Sequence, residues 1–85
     1  MNDNKVFLYT ISTCSHCKST KKLLNDLDVS YESVEVDLLK GEERKKVIED
    51  IKKINPRCSF PTICIDYEVI VGFHENQIKE ALGIE

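Results

Sequence analysis

Two cysteines with two residues between them are the part of this sequence best suited to covalent chemistry: Thr13-Cys14-Ser15-His16-Cys17-Lys18. At this spacing their sulfurs lie about one helical turn apart, within reach of a disulfide. If the pair opens a helix, Cys14 sits at its N-terminus. Unpaired backbone N–H groups and the helix dipole there favour a negative charge, so the Cys14 thiolate is stabilised. Cys17, further into the helix, is predicted to be less exposed and less acidic. The pair then divides the work. Cys14 attacks a disulfide and becomes bonded to one of its sulfurs. Cys17 attacks Cys14, releases that partner as a thiol and leaves an intramolecular disulfide. Lys18 and a protonated His16 add positive potential near the reacting sulfur. Ser15 leaves the helix start a backbone N–H that a proline would lack.

The competing use of such a pair is zinc binding, which in a closed site needs four Cys or His ligands. Cys58 and Cys64 would supply two more, but the five residues between them are a poor knuckle spacing. Cys64 also falls in an apolar run, where it fits as a small core hydrophobe. A strand-then-helix setting favours redox chemistry. Cys58 is either a third redox thiol beside the site or a half-buried thiol without a role.

Hydrophobic periodicity gives the elements that must position these thiols. Lys5 to Thr10 is a β-branched and aromatic run, predicted as a strand buried on both faces. Ile11, Ser12 and Thr13 form a loop. From Ser15 to Leu27, helical spacing puts Thr20, Leu23, Leu24 and Leu27 inside and Lys18, Lys21 and Lys22 outside. Tyr31 to Val36 alternates as a second strand. Gly41-Glu42-Glu43 opens a second helix whose inner face is Val47, Ile48, Ile51 and Ile54. Glu42 with Lys46 and Glu49 with Lys53 are i, i+4 pairs on its outer side, and Asn55-Pro56 stops it. Thr62 to Ile65 and Glu68 to Val71 form a hairpin around Asp66-Tyr67. Glu75 to Leu82 is a last helix, flanked or capped by His74, with Ile78, Ala81 and Leu82 inside and Gly83 as its stop. The order β-α-β-α-β-β-α predicts an α/β fold: a mixed four-stranded sheet with helices on both faces. The first two strands are parallel through a right-handed crossover.

Composition bounds the function. Eighty-five residues suffice for a single domain, 1–85, and 41% of them are apolar, which argues against disorder. A net charge of -3 offers no footprint for nucleic acid. No apolar run reaches the roughly 20 residues of a membrane-spanning helix. The polar Met1-Asn2-Asp3-Asn4-Lys5 start and the short Val6-Phe7-Leu8-Tyr9 run show no export-signal core, so a cytoplasmic monomer is expected. Structural disulfides are rare in that compartment. Thiol exchange needs no tightly bound cofactor.

Further along, Cys58-Ser59-Phe60-Pro61-Thr62 places a proline directly before a strand. C-x-x-C followed by such a proline resembles the thioredoxin superfamily. Chain length, element order, Tyr9 to Cys17, Phe60-Pro61-Thr62-Ile63 and Val71-Gly72-Phe73 resemble a glutaredoxin over nearly the whole chain. The resemblance implies a thioredoxin-like (glutaredoxin) fold, a cis bond before Pro61 and a proline loop facing Cys14. It implies a thiol–disulfide oxidoreductase acting on protein or glutathione mixed disulfides, with an extended substrate segment paired to the Phe60 backbone. Thr13, His16, Arg57, Ser59, Phe60, Pro61, Gly72 and Phe73 are the substrate- or glutathione-binding candidates. A potential between thioredoxin's roughly -270 mV and the glutaredoxins' roughly -200 to -230 mV follows.

Departures from the family pattern bear on the substrate. Ile11 stands where glutaredoxins usually carry Lys, Ser59-Phe60-Pro61 where they show Thr-Val-Pro, and Gly72-Phe73 where they show Gly-Gly. Gly-Phe looks more like the glutaredoxin-like redoxins that reduce ribonucleotide reductase and are themselves reduced by a thioredoxin-reductase-type enzyme. Glutathione remains the alternative reductant, with Arg57 either meeting its carboxylate or serving as a solvated loop charge. Gly72 lets a backbone approach or supplies a positive φ. The alternative function is that of glutaredoxins that carry an iron–sulfur cluster with glutathione. Ser15 makes this conceivable, and the altered glutathione positions argue against it.

Overall fold

The computed structural model describes residues 5–83; the polar Met1-Asn2-Asp3-Asn4 stretch lies outside the described residues. The chain runs β1 (Val6–Thr10), α1 (Ser15–Asp26), β2 (Glu32–Glu35), a 3-10 turn (Val36–Leu38), α2 (Gly41–Ile54), β3 (Thr62–Ile65), β4 (Glu68–Val71) and α3 (Glu75–Leu82). The sheet order is β2-β1-β3-β4, with β1 parallel to β2 and antiparallel to β3, and β3 antiparallel to β4. The predicted mixed four-stranded sheet is therefore the observed one. The Asp66-Tyr67 turn forms without a glycine because Asp66 takes φ 55, a conformation that the short polar Asp side chain tolerates.

Alternation along the strands sorts the core. Val6 and Leu8 of β1, Ile63 and Ile65 of β3, and Ile70 of β4 cluster with Leu24 of α1 and with Ile78 and Leu82 of α3. These two helices share one face of the sheet. The opposite face carries Phe7 and Tyr9, whose rings lie 4.9 Å apart. Burial first, then the charges of Cys64 and of Asp50 on α2, push the Tyr9 hydroxyl up, which places α2 over this face.

Four expectations need correction. β1 is not buried on both faces: Val6, Leu8 and Thr10 are buried, whereas Phe7 and Tyr9 are half-buried, because α2 covers their side only in part. β2 is shorter than the alternating run of Tyr31 to Val36, since the chain tightens into the 3-10 turn at Val36. On α2 only Ile51 of the expected inner face is buried, and Ile54 is 38% exposed. Among the described residues Lys53 pairs with Asp50, at 4.0 Å, rather than with Glu49.

Candidate active site

β1 ends at Thr10, and the loop 11–13 delivers Cys14 to the start of α1. Cys14 is the N-cap: its backbone is extended, at φ -93 and ψ 115, and its sulfur accepts the N–H of Cys17 at 3.1 Å. A side-chain acceptor at this position satisfies one of the orphan donors of a helix start. Here the acceptor is the sulfur of the first cysteine of the pair. The loop is fixed by Asp37, in the 3-10 turn. Ser12 donates its backbone N–H to Oδ1 at 3.0 Å and its hydroxyl to Oδ2 at 2.5 Å. These two donors hold the Asp37 carboxyl below the usual carboxylate range.

Cys17 faces inward and is 2% exposed. Its thiol is pushed up to about 12, chiefly by burial and then by its hydrogen bond with Cys14. The backbone of Ile11 offsets part of this, and the charges of Cys14 and Glu35 add to it. The two cysteines thus differ in burial, as their positions in the helix require.

The proline loop closes the other side. The Phe60–Pro61 peptide is cis. Cys14 donates its S–H to the Phe60 carbonyl at 3.9 Å, so the sulfur and the loop are in contact. Asn55, just past α2, holds the loop's shape. Its Nδ2 donates to Ser59 O and Ser59 Oγ, both at 3.2 Å, and to Thr62 Oγ1 at 3.0 Å. Thr62 Oγ1 in turn donates to Ser59 O at 2.7 Å. Gly72 donates its N–H to Pro61 O at 2.9 Å, bringing β4's end to the loop. At φ +89, with His74 Nε2 only 3.3 Å from where a Cβ would stand, Gly72 meets both conditions that favour glycine.

The structure unites Cys14, Cys17, Phe60, Pro61 and Gly72 in one constellation. Ser59 is half-buried and committed to Asn55 and Thr62. Phe73 is half-buried with its side chain packed on the core, which leaves less of it for a ligand than its place in the sequence suggests. Thr13, His16 and Arg57 are exposed around the site. Among the described residues no hydrogen bond or ion pair holds their side chains to Cys14. Cys58 is half-buried at φ 50, and its N–H donates to Asn55 O at 2.9 Å. Cys64 pairs with Phe7 across β1 and β3, toward the far end of the sheet.

Sequence reasoning missed three contributors. Asn55 read only as a helix stop. Asp37 drew no reading, standing just past the strand predicted to end at Val36. Lys21 read as an outward charge, yet its ammonium meets Glu35 of β2 at 2.6 Å and both side chains are largely covered. The hydrogen bond to Glu35 outweighs the opposing effect of burial and, with smaller charge contributions from Glu35, Tyr31 and Cys17, raises the Lys21 pKa.

The glutaredoxin family profile matches residues 6–70. A methanoredoxin from Methanosarcina acetivorans superposes with a TM-score of 0.88 at 52% identity, covering 94% of this chain and 85% of that one. A glutaredoxin from Methanosarcina mazei Go1 superposes with a TM-score of 0.86 at 49% identity, covering 94% of this chain and 79% of that one. Glutaredoxin 1 of Rickettsia prowazekii is 38% identical over 61 residues, which are 72% of this chain and 61% of that protein. The match to this relative thus spans less than two thirds of its length. The four-stranded mixed sheet with three helices is the thioredoxin-like glutaredoxin fold.

Proposed function

Because this chain belongs to the glutaredoxin family, we propose that it is a dithiol oxidoreductase of protein disulfides, with Cys14 as nucleophile and Cys17 as resolving thiol. One observation carries this reading: the Cys14 sulfur caps α1 through the Cys17 N–H at 3.1 Å while touching the Phe60 carbonyl of the proline loop. The nucleophile, its resolving partner and the proline loop that would meet an extended peptide converge here.

In the first step the Cys14 thiolate attacks one sulfur of the substrate disulfide, and the other sulfur leaves as a thiolate. A mixed disulfide results. In the second step Cys17, as thiolate, attacks the Cys14 sulfur. The bond between Cys14 and the substrate breaks, and the substrate's second sulfur leaves and takes a proton. The chain ends oxidised as Cys14–Cys17, and the substrate has gained two electrons. A protein reductase of the thioredoxin-reductase type returns the electrons. The side chain of Phe73 is packed on the core and His74 lies against Gly72, which crowds the stretch that Gly-Gly leaves open in glutathione users. A thiol enzyme such as ribonucleotide reductase fits as the electron acceptor.

Turnover of a protein disulfide by the wild-type chain tests the reading. Cys14→Ser should abolish it, and Cys17→Ser should accumulate a mixed disulfide visible as a mass adduct. Full activity in the Cys14→Ser protein would sink the mechanism. Rapid reduction of the oxidised pair by glutathione alone would overturn the assignment of a protein reductase.

A further inference from the structure

The sheet ends in two unequal edges, β2 on one side and β4 on the other. β2 carries glutamates at both its ends, Glu32 and Glu35, whereas β4 has a single charge, Glu68, and neither lysine nor proline. Charges, lysine above all, and proline are the usual guards of an exposed edge. The ladder of β3 and β4 fixes which backbone groups of β4 are free. Gly72 donates its N–H to Pro61 O at 2.9 Å, and these residues stand one step beyond the Thr62–Val71 pair. In an antiparallel ladder, pairs that exchange hydrogen bonds alternate with pairs that do not. Gly72, Ile70 and Glu68 therefore turn their N–H and C=O groups toward β3, and Val69 and Val71 turn theirs outward. Among the described residues those outward groups meet no partner. The same two residues have exposed apolar side chains, at 40% and 38%. Through Cys64 and Thr62 they line up with Phe7 and Tyr9, on the face that α2 covers only in part.

We propose that two copies of this chain pair antiparallel along β4, in the register centred on Ile70, and so join their sheets into one. The free groups select a second copy as the occupant, because their pattern is its own complement. Centred on Ile70, Val69 stands opposite the partner's Val71, and Val71 opposite the partner's Val69. Both are then hydrogen-bonding pairs, and every outward N–H and C=O of the two strands is satisfied. A slip of one residue sets outward groups against inward ones and puts the α2 face of one copy beside the opposite face of the other. Centring on Val69 or on Val71 instead pairs the other valine with Tyr67 in the turn or with Phe73 beyond the strand. Side chains agree with the Ile70 register. The exposed valines of the two copies form one apolar stripe of cross-strand β-branched pairs. Charge agrees as well: each Glu68 falls opposite the partner's Gly72, so the two carboxylates do not face each other. The pairing is two-fold symmetric and uses up both β4 edges, so growth stops at two copies; the edges that remain are the glutamate-bearing β2 strands. Since Gly72 is tied to Pro61, pairing also brings the hairpin tip of one copy beside the proline loop of the other. The partner's Glu68 then becomes a charged neighbour of the site. Two such short strands make a small interface, and small interfaces are weak and transient. The monomer expected from the sequence is thus the dilute form. The inference does not depend on the dithiol chemistry above.

Sedimentation equilibrium of the chain, kept reduced by a phosphine, tests the pairing. The mean mass should rise from the monomer at about 10 µM toward twice that value at about 1 mM. A mass that stays monomeric across this range overturns the proposal. So does a dimer that vanishes when reductant is added, since that is a disulfide product. Val69→Lys places a guard charge on the free edge and should raise the dissociation constant at least about tenfold; unchanged association overturns the proposal. If Val69→Lys does not fold, Val71→Lys is judged by the same criterion. NMR on a mixture of isotope-labelled and unlabelled chains at about 1 mM reads the register. Contacts between copies should join Val69 to Val71 and Glu68 to Gly72. The Val69 and Val71 amides should exchange more slowly than in dilute solution, and the Ile70 amide, already bonded to β3, should not. A dimer joined through any other surface overturns the proposal. So does a chain that stays monomeric while Val69→Lys loses reduction of a protein disulfide, because the edge then receives a strand of the substrate.

Discussion

Replacing Asn55 with Ala should loosen the proline loop without touching either cysteine. Asn55 is 3% exposed, and its amide serves Ser59 and Thr62. An amide has two N–H hydrogens, so the three contacts amount to two full hydrogen bonds, each worth about 0.5–1.5 kcal/mol net. Its Oδ1 also accepts the Arg57 N–H at 3.3 Å, a weaker bond at a more exposed position. The partners are not stranded by the change, since Thr62 Oγ1 still donates to Ser59 O at 2.7 Å. Adding a small term for the void gives a loss of about 2–3 kcal/mol. A domain of 85 residues has roughly 4–13 kcal/mol in total. The loss should therefore lower Tm by on the order of 10–20 °C and move the urea midpoint with little change of slope.

The activity should follow a particular pattern. Phe60 presents its carbonyl to Cys14 at 3.9 Å from the loop that Asn55 shapes. Reduction of a protein disulfide should fall, whereas alkylation of Cys14 by a small reagent should keep its rate. A stability loss under about 0.5 kcal/mol would refute the accounting of the loop. Alkylation slowed as much as disulfide reduction would refute the idea that the loop docks substrate and leaves the nucleophile alone.

Other outcomes follow from the same geometry. Gly72→Ala combines a positive φ with a 3.3 Å approach to His74 and should cost about 1–3 kcal/mol; a neutral result in chemical denaturation would contradict it. The Ser12 donors lower the Asp37 carboxyl from its usual 3.8, so its contribution is present above that value and lost as pH falls through the lower folded one. Asp37→Asn should therefore weaken the protein at neutral pH and flatten its acid limb, and parallel wild-type and variant curves down into acid would refute this. Cys17 is raised from 9.0 to about 12 in the folded chain, so its contribution is complete below about 9 and is lost as pH rises toward 12. Stability should fall across that window by at most about 1.4 kcal/mol per pH unit on its account, and Cys17→Ser should remove that part of the slope.

The parts of this molecule legible in its sequence are those written locally. Asn55-Pro56, Pro61, Asp66-Tyr67 and Gly83 punctuate the chain where elements stop and start, so β3, β4 and α3 have the bounds read for them and α2 stops where Asn55-Pro56 ends it. Cys14 and Cys17 announce themselves by spacing, and the strand–helix junction tells which sulfur is exposed. Val36 misled because one apolar residue fits an alternating strand and a 3-10 turn equally well. The polar framework was invisible for a different reason. Ser12 with Asp37 joins residues 25 apart, and Lys21 with Glu35 joins residues 14 apart. No periodicity marks such partners, because only the fold brings α1 beside the end of β2. Asn55 looked complete as a helix terminator, and nothing in its neighbours disclosed that its amide faces inward.

A helix cap is ordinarily a permanent fitting; in the proposed reaction it is also the reagent. In that reaction the sulfur that receives the Cys17 N–H at 3.1 Å is the atom that would leave to bond a substrate and return when the pair is reduced. When that sulfur forms a covalent bond its contact with the N–H must change, so the first turn of α1 is coupled to the bond. Oxidation state and local order are therefore two readouts of one atom. Amide exchange at Cys17 should report how far the redox cycle has advanced. Any change that gives this helix a different cap would also alter how readily the chain surrenders its electrons.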